Sequence, residues 1–257
     1  MWEFGWKNFK KVGKNKLIKY TQIERFENVV QAPYEILQHE DFYLKGKWGG
    51  HFFKNSKPII LELGCGKGEY TVELAEKNPH FNYIGVDIKG ARMFVGAKLA
   101  IEKILINVAF LRTNIEAIDR FFGVGEIAEI WLTFPDPQMK KNGKRLTSTF
   151  FLNLYRAFLK TSGTIHLKTD SNFQFIYTSA LVRLNGFEIL AETGNLYESE
   201  IQNETLAIKT FYEKQWLSRG ITIKYIAFKL NNKEFTEPEI EVEKDGYRSF
   251  GRRSRDF

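Results

Sequence analysis

Between Pro58 and Asn185 the chain alternates short apolar runs with amphipathic ones, and that alternation limits its possible folds more than any other feature. "PIILELG" closes on glycines and reads as a buried strand. "EYTVELAEKNP" spaces Tyr70, Leu74 and Ala75 as one helical face and stops at Pro79. "FNYIGVDI" is a second strand, and residues 90–105, with Met93, Phe94, Ala97, Ile101 and Ile104, form a second amphipathic helix. "NVAFLRTN" is the third strand, followed by a short helix, "IEAIDRFF"; "IAEIWLTF" is the fourth strand. Thr147 or Ser148 caps a helix with Phe150, Phe151, Leu154, Tyr155, Phe158 and Leu159 on one stripe. "GTIHLKTD" is the fifth strand, residues 172–185 a helix and "GFEILAET" the sixth strand. Residues 205–219 form a helix closed by Gly220, and "ITIKYIAFKL" is the seventh strand. The fold expected is α/β: a doubly wound, mostly parallel seven-stranded sheet with helices on both faces and the last strand antiparallel.

Three regions follow. Residues 1–57 are a basic and aromatic N-terminal extension without clear periodicity, residues 58–230 the α/β domain, and residues 231–257 a tail that begins acidic and ends basic. No apolar run reaches the roughly 18 residues of a membrane span, and the N-terminus lacks the apolar core of a secretory signal. A single cysteine, Cys65, rules out an internal disulfide, and the scattered histidines show no metal-ligand spacing. A cytoplasmic protein without membrane or metal is expected. The net charge of +7 is distributed unevenly: Lys7, Lys10, Lys11, Lys14, Lys16 and Lys19 form one cluster, Lys140, Lys141, Lys144 and Arg145 a second, and Arg248, Arg252, Arg253 and Arg255 a third. Three clusters point to a polyanionic partner more strongly than the total does.

An open doubly wound sheet binds its ligand at the carboxyl ends of its strands. After the first strand stands "ELGCGKGEY", with Gly64, Gly66 and Gly68 able to let a cofactor approach the backbone. The Gly-x-Gly-x-Gly spacing differs from the pattern preferred for a dinucleotide pyrophosphate. Glu62 would repel a phosphate but suits an ammonium group, which S-adenosyl-L-methionine carries together with a sulfonium and no phosphate. Asp87, 19 residues after Gly68, is placed to accept both ribose hydroxyls. Asn114, after the third strand, can read the adenine edge. Cys65, inside the glycine turn, reads as a small filler, since a cysteine nucleophile belongs beside the target base.

After the fourth strand comes "FPDPQMKKNGKRLT", residues 134–147. Two prolines stiffen the segment around Asp136, because each fixes its own φ and restricts its predecessor. Adenine-N6 and cytosine-N4 methylating enzymes place Asn/Asp-Pro-Pro-aromatic here, whereas Gln138 and Met139 supply no stacking ring.

Together these motifs resemble the signature of the bacterial tRNA (guanine-N7-)-methyltransferase family, which shows Phe-Pro-Asp-Pro-Trp, a basic run, and Arg-Leu-Thr opening a helix. "LELGCGKGEY", "GVDIKGAR", "RTN", "LKTD" and "TFYE" occur in the family's order, over about residues 58–230. The resemblance implies a class I methyltransferase domain, S-adenosyl-L-methionine as methyl donor, and methylation of the variable-loop guanine of tRNA, guanine-46. It implies that Glu62, Asp87, Asn114 and Asp136 contact the cofactor, with Asp136 also catalytic. Lys140, Asp170 and the segment Thr210, Phe211, Tyr212 and Glu213 match substrate-contacting positions, and residues 142–147 match an RNA-contacting loop. Gln138 and Met139 stand where the family has Trp-Pro, a departure that bears on base stacking.

Guanine N7 presents a lone pair and no proton, so attack on a sulfonium methyl calls for alignment rather than a strong base. A fixed carboxylate, Asp136 with Asp170, would hold the donor edge of the base and stabilise the developing positive charge. Lys140, Lys141, Lys144 and Arg145 would hold phosphates flanking a base drawn out of the tRNA. Rival readings are the same fold methylating a small molecule or protein, a non-catalytic tRNA-binding subunit, and a dinucleotide oxidoreductase. A monomer or homodimer is expected.

Overall fold

The computed structural model describes residues 19, 21–32, 37 and 40–249, the side chains of residues 248 and 249 excepted. The lysine cluster before Lys19, and Arg252, Arg253 and Arg255, lie outside the described residues. Eight strands form one sheet: β1 (Val29–Gln31), β2 (Ile59–Leu63), β3 (Asn82–Asp87), β4 (Val108–Arg112), β5 (Ile127–Thr133), β6 (Leu159–Thr169), β7 (Glu188–Thr193) and β8 (Lys224–Lys229). Their order is β1-β4-β3-β2-β5-β6-β8-β7. All pairings from β1 to β6 are parallel, and β8 runs antiparallel to both of its neighbours, β6 and β7.

The helices are α1 (Glu69–Lys77), α2 (Gly90–Glu102), α3 (Thr149–Arg156), α4 (Asn172–Leu184), α5 (Phe211–Leu217) and a short α6 (Gly246–Ser249). Central strands are apolar on both faces because helices cover both. Leu61, Leu63, Ile130, Leu132 and Leu167 point into one core with Phe151, Tyr155 and Leu181 of α3 and α4. Ile60, Trp131, Phe110 and Tyr225 point into the other with Tyr70, Leu74 and Met93 of α1 and α2.

Three expectations are corrected. The sheet has eight strands rather than seven, because Val29–Gln31 adds to β4; three residues are too short a run to carry a readable period. Nearby, Trp48 is fully buried and donates from Nε1 to the Phe121 carbonyl at 2.9 Å. Second, α3 ends at Arg156: Ile127 takes the Phe158 carbonyl at 3.1 Å, and Leu159 already opens β6. Third, the helix expected over 205–219 is confined to Phe211–Leu217. The buried Lys168 ammonium takes the carbonyls of Leu206 and Ile208, at 2.9 and 2.7 Å, which a continuous helix would need for itself. Thr210 then starts the helix afresh with a capping box.

The chain lays β3 and β4 outward from β2 on one side, then returns to place β5 against its other side. Strand order therefore reverses between β2 and β5, and the crevice at their carboxyl ends is where ligands bind in such sheets.

Candidate active site

Glu62, near the end of β2, is buried at the reversal of strand order. Its Oε2 accepts the Thr71 backbone N–H at 2.9 Å and the Thr71 hydroxyl, and its Oε1 accepts the hydroxyl of Thr133 at the end of β5. Burial pushes its pKa up to about 7, while the bonds from Thr133 and Thr71 pull the other way. The carboxyl is thus held rigidly and is poised to change charge near neutrality.

The glycine turn follows. Gly64, Gly66 and Gly68 all have positive φ. At Gly68 a Cβ would stand 2.5 Å from the Phe110 ring, so no other residue fits the turn without repacking. Asp87 ends β3 with both oxygens engaged by main chain: Oδ2 accepts from Gly66 N at 3.0 Å and Oδ1 from Lys89 N at 2.7 Å. A cavity of about 370 Å³ opens at these strand ends, and Gly64, Asp87, Asn114, Gln138, Lys141 and Leu146 contribute to its wall. A larger hollow of about 570 Å³, around Pro58 and Gly125 at the opposite ends of the strands, carries none of these groups.

The segment after β5 is strained at both ends. Phe134 (φ 51°) and Gln138 (φ 45°) sit in the left-handed region that side chains disfavour, bracketing Pro135-Asp136-Pro137. Phe134 is pinned by its N–H to the Lys168 carbonyl at 2.8 Å, and Gln138 by its N–H to Asp136 Oδ1 at 3.1 Å. Asp136 is exposed and fixed in direction by that turn.

Of the basic run, Lys140, Lys141 and Lys144 are exposed, and Lys144 pairs with Glu116. Arg145 is placed otherwise than the sequence reading has it. It is 5% exposed, and its guanidinium carbon lies 4.7 Å from the Phe173 ring centroid and 4.4 Å from that of Tyr177. The side chain braces α4 against the loop and does not reach a surface phosphate site.

The remaining expected substrate positions divide. Phe211 and Tyr212 are half-exposed, and the Lys67 ammonium lies 4.6 Å from the Phe211 ring centroid. Glu213 is fully buried, 2.9 Å from the Lys168 ammonium, and also accepts the Tyr197 hydroxyl. Thr210 caps α5 by accepting from Glu213 N at 3.2 Å. Asp170 is also fully buried, beneath Tyr247, whose hydroxyl donates to its Oδ2 at 2.8 Å. As placed, Glu213 and Asp170 support the site from within.

Sequence reasoning missed Thr71, Thr133, Lys168 and Tyr247. Only Lys168 left a signal, as a cation beside the apolar Ile165 and Leu167 of a strand that closes on "LKTD".

The donor set favours a cationic, ribose-bearing group over a pyrophosphate. Two carboxylates stand at the ends of β2 and β3, and the cation of the glycine turn, Lys67, is directed to Phe211, Tyr212 and Glu69. Among the described residues no His/Cys/Asp/Glu group could hold a metal ion, and no helix is long and apolar enough to cross a membrane.

Residues 56–226 match the family Methyltransf_4, described as "Putative methyltransferase". The chain is 54% identical to the tRNA (guanine-N(7)-)-methyltransferase of Bacteroides fragilis, over 95% of this chain and 97% of that one. It is 56% identical to the protein of the same name from Porphyromonas gingivalis, over 91% and 98%. Among solved structures, the 16S rRNA methyltransferase KamB superposes with a TM-score of 0.54 at 14% identity, covering 70% of this chain and 91% of that chain. That likeness bears on the fold alone.

Proposed function

Because the chain belongs to the tRNA (guanine-N(7)-)-methyltransferase family, we propose that it methylates N7 of the variable-loop guanine of tRNA, guanine-46. S-adenosyl-L-methionine supplies the methyl group as a sulfonium electrophile when bound. The observation that supports the reading is the joining of Glu62 to Thr133 where strand order reverses, which ties Glu62 to the strand that leads into the Asp136 segment.

Glu62 would hold the amino group, Asp87 the ribose hydroxyls and Asn114 the adenine edge. Asp136 would hold the donor edge of the guanine and stabilise the cationic product ring. The strain at Phe134 and Gln138 supports this role, since backbone outliers of this kind persist where surrounding structure enforces a working geometry. Lys140, Lys141 and Lys144 would contact phosphates and offset the few kcal/mol of unstacking the base. Phe211 and Tyr212 offer exposed rings where Gln138 and Met139 offer none. The protein would act in the cytoplasm, as a monomer or homodimer, without a metal.

The test is methyl transfer from labelled S-adenosyl-L-methionine to tRNA lacking the modification, followed by borohydride–aniline cleavage. Cleavage at the variable-loop guanine supports reaction, atom and position together. Incorporation without cleavage moves the target atom. No incorporation, with cofactor bound, favours the non-catalytic or small-molecule reading.

A further inference from the structure

A second group of interacting polar side chains stands outside the active site, on the sheet face that α1 covers. Residues two apart on a strand share a face, so Glu129 and Trp131 of β5 stand together, and the register sets His166 of β6 opposite Trp131. The Trp131 and His166 rings stack with centroids 4.0 Å apart and planes 7° from parallel. Tyr225 of β8 extends the group, its hydroxyl 2.7 Å from His166 Nδ1. The Trp131 indole N–H donates to Glu129 Oε2 at 3.2 Å. His166 Nε2 lies 3.3 Å from the same oxygen, yet it is buried and makes no hydrogen bond. Glu129 Oε1 accepts none among the described residues.

A cavity of about 170 Å³ adjoins these four side chains, and Phe81 and Tyr83 add two more rings to its wall. Glu129 stands four residues before Thr133, roughly 13 Å along β5 from the strand ends that form the active site. A cluster that served packing alone would close on itself. This one leaves open space beside a buried imidazole nitrogen without a partner, which is costly unless something fills the site. Burial works against the Glu129 charge, but His166 and the Trp131 N–H outweigh it and hold its pKa below the usual carboxylate value, so the group is ionised at neutral pH. The volume suits a single ring system, since a cavity of about 150 Å³ takes up benzene. Aromatic walls favour a flat occupant, and the carboxylate favours N–H donors or positive charge on it. We propose that this cavity is a second ligand site, which takes one flat heterocycle with an amidine-like donor edge set against Glu129. The site is separate from the methyl-transfer centre and does not depend on the tRNA reading.

Benzamidine is the probe, a flat ring with a cationic amidine; benzoate has a similar shape and the opposite charge. Calorimetric titration of the full chain at neutral pH is expected to give a Kd of about 1 mM for benzamidine, ordinary for a ligand of one ring, and no binding of benzoate. Glu129→Gln should weaken benzamidine by about tenfold or more, the scale of a lost charge-assisted hydrogen bond. Saturating S-adenosyl-L-methionine should leave the benzamidine Kd unchanged, because Glu62 belongs to the other site. In the isotope-labelled wild-type chain, benzamidine should move the indole N–H resonance of Trp131, identified by its loss in Trp131→Phe; this reads the site even where Glu129→Gln fails to fold. Displacement of benzamidine by the cofactor would place it at Glu62 and overturn the proposal. Equal binding by Glu129→Gln, equal binding of benzoate or an unmoved Trp131 resonance would overturn it as well. Absence of any benzamidine binding would do the same, leaving a cavity that holds water alone.

Discussion

Thr133 donates its hydroxyl to Glu62 across the boundary of β5 and β2, so the last residue of one strand fixes the carboxyl of the other. Burial raises the Glu62 pKa from 4.5 to about 7. An ammonium group brought against it would favour the ionised form, so cofactor binding near neutral pH is expected to release a proton. Titration calorimetry in buffers of different ionisation enthalpy measures this directly. Equal heats in all buffers at pH 6–7 would refute it. Glu62→Gln is expected to abolish the release and weaken cofactor binding by about 10- to 100-fold, the scale of a lost charge-assisted hydrogen bond.

The same shift sets a stability profile. An acid whose folded pKa is raised binds its proton more tightly when folded, so its contribution is full below pH 4.5 and is lost as pH rises through about 7. At pH 8 the ionised group costs the fold about 3 kcal/mol relative to its protonated form. In urea melts without cofactor, Glu62→Gln should therefore gain stability on wild type as pH rises from 5 to 8. A constant gap across that range would be evidence against the shift.

Asp136 is exposed and directed by its turn with Gln138, so replacing it should not disturb the core. Asp136→Ala is expected to lower kcat for tRNA methylation by about 100-fold, the scale of removing one preorganised electrostatic group, at nearly unchanged melting temperature. Single-turnover methyl transfer checks it. Near-normal turnover would remove Asp136 from the chemistry.

The doubly wound, mostly parallel sheet and the strand-end residues were legible because buried parallel strands and glycine turns leave local patterns, whereas the order of the strands is set by pairing between distant segments. Glu62, Asp87, Asn114 and Asp136 each follow or end a strand that periodicity locates. What escaped was long-range. Nothing local says that Arg145, inside a basic run, turns inward onto Phe173 and Tyr177. Likewise Glu213 looks like an ordinary helix-start acid until Lys168, 45 residues earlier, is seen to meet it. Val29–Gln31 escaped because a three-residue strand is defined by its partner, β4, and by no period of its own.

Lys168 and Glu213 form an ion pair with both side chains fully buried. Burial holds the Lys168 pKa down, and Glu213 only partly restores it. Removing one partner strands the other charge, so Lys168→Met is expected to cost about 3–5 kcal/mol. Lys168→Met with Glu213→Gln should recover part of that loss, because no unpaired charge remains. Urea denaturation of the single and double variants provides the measurement. A double variant no more stable than the single would mean that the carbonyls of Leu206 and Ile208, rather than the charge of Glu213, govern the site.

Arg145 and Lys141 stand four residues apart in one basic run, yet the fold separates their tasks. Arg145 lies between two rings and is almost wholly enclosed; Lys141 is exposed at the cavity wall. Arg145→Ala gives up cation–π contact and buried packing, expected at about 2 kcal/mol, or a melting temperature lower by about 4–8 °C for a chain of this size. The salt dependence of its tRNA binding should stay that of wild type. The variant K140A/K141A/K144A should melt within a degree or two of wild type. Its tRNA affinity should fall at least tenfold at low salt, with a slope against log salt shallower by about 2–3. Filter-binding isotherms at several salt concentrations, beside thermal melts, separate the two behaviours. A shallower slope in Arg145→Ala would return that residue to the phosphate surface, and an unchanged slope in the triple lysine variant would move the phosphate contacts elsewhere.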